Sequence, residues 1–251
     1  MSGPLLRVQG LCKRFGGVLA TDAVSLEVQA GEIHALIGPN GAGKTSLIAQ
    51  LAGNIRPDAG QIWLGDQNIT RLPAHQRVRQ GLVRSFQITR LFRSFTALEN
   101  LAIAAQVRQG GNLSFWRLVA ADHALEEEAR HWLRAVGLAG RENVIAATLS
   151  HGEQRALEVG LALATRPRLL LLDEPMAGTG PEDGARMEAL IERLRTQTTV
   201  LLVEHDVDAV FRLANRVTVL VNGRVIASGE PAAVRADQAV IAAYLGDEAA
   251  A

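Results

Sequence analysis

The chain has 251 residues, enough for one large domain or two small ones with a substantial buried core. Lys plus Arg number 26 and Asp plus Glu 26, so the net charge is zero, which argues against a nucleic-acid protein held by bulk positive charge. The single cysteine, Cys12, excludes an internal disulfide and fits a reducing compartment. No window approaches the roughly 18 uninterrupted apolar residues of a membrane span, and the N-terminal stretch is not of signal-peptide type, so any membrane role is expected to run through a partner.

In chain order, Leu5–Val8 and Ser25–Val28 are short strand candidates, separated by Gly16-Gly17 and followed by Gly31. The apolar run His34–Ile37 predicts a strand, and Ser46–Ala52 a helix. Between them Gly38-Pro39-Asn40-Gly41-Ala42-Gly43-Lys44-Thr45 matches the phosphate-binding loop pattern G-x-x-x-x-G-K-[ST], in the strand–loop–helix context it requires. The glycines let backbone N–H groups turn inward around phosphate oxygens, Lys44 offers a point charge to the β- and γ-phosphates, and Thr45 offers a hydroxyl to Mg²⁺. Ser46 continues the loop into the helix, whose positive end points at the anion. A glycine-rich turn before a helix would explain the glycines but not all four fixed positions together.

Gln61–Leu64 is a further strand candidate, closed by Gly65-Asp66. A basic stretch, Arg77–Arg79, leads through Gly81 into a strand around Leu82–Phe86. Thr96–Glu99 is a capping-box pattern that opens a helix. Ala124, Leu125, Ala129, Trp132, Leu133 and Val136 then recur at helical spacing, closed by Gly137. Leu149–Gln154 begins another helix, with Ser150 as N-cap and Glu153 three positions on. Leu169–Leu172 is continuously apolar, as a strand buried on both faces of a parallel sheet should be, and it ends in Asp173-Glu174. Such a strand delivers its last side chains to the edge where α/β proteins bind ligands: Asp173 is a candidate for Mg²⁺, and Glu174 for orienting or deprotonating a water in line with the γ-phosphate. A helix marked by Met187, Leu190, Ile191 and Leu194 precedes a buried strand, Thr199–Val203. Val217–Val221 and Arg224–Ala227 flank Asn222-Gly223, a strong hairpin signal. These elements predict an α/β fold, a phosphate-loop NTPase core with a mixed sheet, an antiparallel β subdomain and an inserted α-helical subdomain. Residues 1–251 form a single domain in this reading, with 1–87 and 166–251 as the nucleotide-binding core and 88–165 as the helical part.

Leu149-Ser-His-Gly-Glu-Gln154 resembles the signature motif of ATP-binding cassette (ABC) ATPases, usually written Leu-Ser-Gly-Gly-Gln. A capping box alone accounts for Ser150 and Glu153 but not for Gly152, nor for the position ahead of the acidic strand. The rest of that family's pattern then follows in order along the whole chain. Phe15 resembles the aromatic that stacks on adenine, Gln87 the glutamine that senses Mg²⁺ and the γ-phosphate, Ala177–Gly180 the loop that crosses the dimer interface, and His205 the switch histidine. Arg84–Phe92, Val203–Asp206 and the ending Ala243–Gly246 are similar to the larger ATPase subunit of branched-chain amino acid importers. Three positions depart from the pattern: His151 stands for Gly, Glu153 for Gln, and Gly180 for Asp or Asn.

The resemblance implies an ATPase that uses ATP and Mg²⁺ and works peripherally on the inner face of the plasma membrane, powering import of branched-chain amino acids or similar small solutes. Its implied partners are membrane permeases, a second ATPase subunit in a homo- or heterodimer and, indirectly, a solute-binding protein, with no nucleic acid. The alternative is another ABC system, a urea or aromatic-acid importer or a lipopolysaccharide-type exporter. In the family each active site uses Phe15, the phosphate loop, Gln87, Asp173, Glu174 and His205 of one chain, and Ser150, Gly152 and Glu153 of the other. The segment from Gln87 to Phe95, with Ile88, Leu91, Phe92 and Phe95 interleaved with Arg90 and Arg93, is expected to dock on the membrane partner.

Overall fold

The computed structural model describes residues 3–85, 91–108 and 123–248, the side chains of 245–248 excepted. In chain order the strands are β1 (Leu6–Phe15), β2 (Val18–Val28), β3 (Ile33–Ile37), β4 (Ala59–Leu64), β5 (Gln67–Asn68), β6 (Leu82–Arg84), β7 (Leu169–Asp173), β8 (Thr199–Val203), β9 (Arg216–Val221) and β10 (Arg224–Gly229). The helices are α1 (Lys44–Leu51), α2 (Ala74–Arg79), α3 (Ala97–Arg108), α4 (His123–Ala135), α5 (His151–Ala164), α6 (Pro181–Leu194), α7 (Val207–Leu213), α8 (Pro231–Arg235) and α9 (Gln238–Glu248). The chain divides into two compact units, one of residues 1–83, 168–174 and 191–251, the other of residues 84–167 and 175–190.

The first unit carries two sheets. One is antiparallel, in the order β2-β1-β4-β5; the other is mixed, in the order β10-β9-β3-β8-β7-β6. Within the mixed sheet β3 runs parallel to β8 and β9, and β7 parallel to β8, while β10 returns antiparallel to β9. The parallel strands are largely apolar because both faces are covered, with His34 and Thr218 among the buried polar exceptions. On β3 the period of two is explicit: Leu36 enters a core with Leu6, Leu47, Leu171 and Leu201, whereas Ala35 and Ile37 enter another with Val210, Val217 and Val219. The hairpin at Asn222-Gly223 closes β9 on β10 with both residues at positive φ, 47° and 78°, as a type I′ turn requires. The first two strands are longer than their apolar cores suggested. β1 runs from Leu6 to Phe15 across Gly10, with register shifts against β2 that absorb the irregular pattern.

The second unit packs α3, α4 and α5 together. Apolar residues four apart make α4 amphipathic, burying Leu125, Ala129 and Leu133. By contrast α3 is buried on most of its circumference, including Asn100. Thr96 and Glu99 form the expected capping box at its start: Glu99 N–H donates to Thr96 Oγ1 at 3.2 Å and Thr96 N–H to Glu99 Oε2 at 2.7 Å. Asn100 fixes the preceding turn by accepting from Phe92 N–H at 2.9 Å and donating to the carbonyls of Phe92 and Thr96. That turn leaves Phe92 about half exposed and stacked on Phe95 with ring centroids 5.6 Å apart. Leu91, beside Phe92, is buried. Ile88 and Arg90, of the same expected docking segment, lie outside the described residues.

Candidate functional site

The phosphate loop joins β3 to α1 within the first unit. Gly43 is the N-cap of α1 at φ 101°, and a Cβ there would collide with the Ala20 carbonyl oxygen, so the close approach of β2 requires glycine. A glycine N-cap has no side chain to occupy the free N–H groups of the first turn, which remain available to an anion. Lys44 is 5% exposed, and its ammonium donates to the carbonyls of Gly38 at 2.6 Å and Pro39 at 3.0 Å. Burial pushes the Lys44 pKa below its ordinary value, while the nearby Glu174 and Asp173 carboxylates pull it back up. Lys44, Asp173 at the end of β7 and Glu174 just after it therefore share one electrostatic neighbourhood.

The β7 strand ends with Asp173, almost fully buried, and then turns sharply. Glu174 takes a left-handed φ of 50°, rare for a residue with a side chain, and its N–H donates to the Val203 carbonyl at 2.9 Å. The turn brings the Glu174 carboxylate to His205: Oε1 lies 2.6 Å from Nε2. His205 in turn stands at the end of β8, where its N–H donates to Glu204 Oε2 at 3.1 Å. Asp206 then caps α7 by accepting from Ala209 N–H.

One cleft of about 470 Å³ gathers these groups, with Phe15 and Val18 at one part of its wall, the loop from Asn40 to Ser46, and Glu174 and His205. Phe15 is 46% exposed. Asn222 also lines this cleft, a placement that its hairpin pattern did not foretell. The tie is non-local: Gly223 N–H donates to the Ala42 carbonyl at 2.9 Å, and Asp22 N–H to the Gly223 carbonyl at 2.8 Å. Gln87, the remaining candidate from this part of the sequence, lies outside the described residues.

Ser150, Gly152 and Glu153 lie in the second unit, at the start of α5. The capping box is complete: Glu153 N–H donates to Ser150 Oγ at 3.2 Å, and Ser150 N–H to Glu153 Oε2 at 2.9 Å. The Ser150 N–H, aided by Arg141, holds the Glu153 carboxyl below the ordinary carboxylate range, so the box is intact at neutral pH and opens only as acid protonates Glu153. The second glycine of interest is Gly152: a Cβ on it would run into the Asp183 carboxylate at the start of α6. That close contact is a reason for glycine which a capping box does not supply.

Among the described residues no group of three or more His, Cys, Asp or Glu side chains is clustered as a metal cage. No helix among them is long and apolar enough to cross a membrane.

The chain matches the ABC transporter family over residues 21–177, and a family described as branched-chain amino acid ATP-binding cassette transporter over residues 224–250. It is 41% identical to the high-affinity branched-chain amino acid transport ATP-binding protein BraF of Pseudomonas aeruginosa, and 42% identical to LivG of Escherichia coli, of the same description. Each alignment covers 98% of this chain and all of the relative. It is 35% identical to the lipopolysaccharide export system ATP-binding protein LptB of Acidithiobacillus ferridurans, over 97% of this chain and 98% of that one. Among solved structures, the ADP conformation of MJ1267, an ATP-binding cassette of an ABC transporter, superposes with a TM-score of 0.85 at 30% identity, covering 97% of this chain and 99% of that one. The expected fold and family thus hold over nearly the whole length: the chain belongs to the ABC transporter family, as an ATP-binding cassette ATPase.

Proposed function

We propose that this chain is the ATP-hydrolysing subunit that powers import of branched-chain amino acids or similar small solutes through partner permeases. The observation that carries the hydrolytic part is the Glu174–His205 pair at 2.6 Å, in the same cleft as Lys44. In this reading Phe15 stacks on adenine, and the backbone from Gly38 to Ser46 cradles the phosphates. On nucleotide binding Lys44 exchanges the Gly38 and Pro39 carbonyls for the β- and γ-phosphate oxygens, which better compensate its buried charge. Glu174 polarises the attacking water, and His205 holds both that carboxylate and the γ-phosphate in place.

The donors at hand suit Mg²⁺ rather than a soft metal: the Thr45 hydroxyl, the buried Asp173 carboxylate and Gln87 are all hard oxygen ligands. Among the described residues no cluster of His, Cys, Asp or Glu makes an all-protein cage, which fits an ion that shares its coordination with substrate phosphates. When bound there it neutralises charge on the β- and γ-oxygens.

Ser150, Gly152 and Glu153 serve the nucleotide of a second ATPase subunit, of this chain or a related one. The free N–H groups at the start of α5 supply about half a positive charge. ATP then bridges two subunits, and loss of the γ-phosphate releases them. Ser150→Ala is accordingly expected to weaken ATP-driven dimerisation by about tenfold, the size of one lost charge-assisted hydrogen bond, while single-chain nucleotide affinity is retained. Sedimentation with ATP, alongside equilibrium nucleotide binding, separates the two. Equal losses in both would make Ser150 only the cap of its own helix.

The branched-chain assignment is supported by the higher identity to BraF and LivG than to LptB, and by the C-terminal match over residues 224–250. Its place is then peripheral, on the inner face of the plasma membrane, bound to permeases fed by a solute-binding protein. Purification of the chain from its native membranes in mild detergent tests this. Two permeases and a second cassette in the preparation support the importer; export components overturn it and leave the ATPase chemistry standing.

A further inference from the structure

Phe15 presents a half-exposed ring at the cleft, and a side chain so exposed needs something to hold it at a fixed angle for stacking. The Lys13 ammonium lies 5.5 Å from the centroid of that ring. Lys13 itself does not line the cleft that Phe15 lines. Its side chain is mostly buried, and Asp58 accepts from its ammonium at 2.8 Å. The other oxygen of Asp58 accepts from Arg14 N–H at 2.8 Å, and Asp58 N–H donates to the Cys12 carbonyl at 2.9 Å. Three consecutive residues of β1 are thus fastened to one acid at the entry of β4, immediately before the aromatic. The two hydrogen bonds hold the Asp58 carboxyl below the ordinary carboxylate range, so it is a carboxylate at neutral pH.

We infer that Lys13, clamped by Asp58, is a positioning residue for base recognition: it fixes the Phe15 ring and polarises it for stacking against the purine of ATP. A cation on one face draws π-density away from the other face, and that face then stacks more strongly on an electron-rich heterocycle. The inference rests on the reading of Phe15 as the stacking aromatic.

Equilibrium binding of ATP and of inorganic tripolyphosphate, which has no base, to the purified chain tests it. Variants are Lys13→Met, Lys13→Arg, Asp58→Asn, Phe15→Ala and the double variant Phe15→Ala/Lys13→Met. Lys13→Met is expected to weaken ATP binding by about twofold to fivefold, the size of an exposed cation–π contact, and to leave tripolyphosphate binding unchanged. Retained tripolyphosphate binding also reports an intact phosphate loop. Lys13→Arg restores ATP affinity, Asp58→Asn lowers it in the same direction, and Lys13→Met has no further effect once Phe15 is Ala. Equal weakening of ATP and tripolyphosphate would make Lys13 a general charge and overturn the inference. Loss of ATP affinity in Phe15→Ala, with none in Lys13→Met, would overturn it and leave the stacking reading standing. No change in Phe15→Ala would remove both.

Discussion

Glu174→Gln is expected to lower ATP turnover by a factor of about 10²–10⁴, the range of one positioned general base, while ATP still binds. The amide has the same shape as the carboxylate and can occupy the same left-handed turn at the end of β7, because the N–H to Val203 is a backbone bond. It can also still meet His205 Nε2 by hydrogen bonding. What it lacks is the negative charge that draws a proton from water. Phosphate release measured at saturating ATP, beside equilibrium nucleotide binding, separates chemistry from affinity. With hydrolysis blocked and binding intact, the variant is further expected to accumulate as an ATP-held dimer in sedimentation. Full turnover in Glu174→Gln would remove this residue from the chemistry and leave the 2.6 Å contact with His205 as a structural pair.

Much of this site is readable in the linear sequence because its parts are local. The loop from Gly38 to Thr45 is contiguous, the capping box of α5 spans four residues, and Asp173-Glu174 closes an apolar run whose burial on both faces follows from its composition. The hairpin at Asn222-Gly223 was equally legible as a turn, yet its place beside the phosphate loop was not. That placement depends on hydrogen bonds from Gly223 to Ala42 and from Asp22 to Gly223, between segments far apart in the chain. The extension of β1 through Gly10 escaped a pattern search for the same reason: register shifts against β2 break the alternation. Leu91 and Phe92 read alike in the sequence, as adjacent apolar residues, yet the first is buried and the second about half exposed. Arg77 was not legible as interior at all: nothing in its short basic stretch marks it for burial, yet the residue is 1% exposed.

Arg77→Leu is expected to destabilise the chain by about 2–4 kcal/mol, the cost of stranding several buried acceptors offset by relief of a buried charge. Arg77 donates to four backbone carbonyls. Nη1 donates to Gln50 at 2.7 Å and Leu51 at 2.6 Å, Nε to Leu72 at 2.8 Å, and Nη2 to Thr70 at 3.0 Å. Gln50 and Leu51 end α1, where the macrodipole favours a cation; the Gln50 carbonyl also accepts from Gly53 N–H at 3.2 Å. Burial lowers the Arg77 pKa to about 10, which leaves it charged at neutral pH. Lysine cannot reproduce the fork, so Arg77→Lys is expected to recover little of the loss. Thermal unfolding should register Arg77→Leu as a fall of about 5–12 °C in Tm for a domain of this size. The same helix presents Gly43 and Lys44 at its opposite end, so a loosened C-terminus should also raise the Kd for ATP at temperatures well below melting. An unchanged Tm would mean that water satisfies the four carbonyls as well as the guanidinium does. A lowered Tm with unchanged Kd would confine the role of Arg77 to holding α1 in the fold.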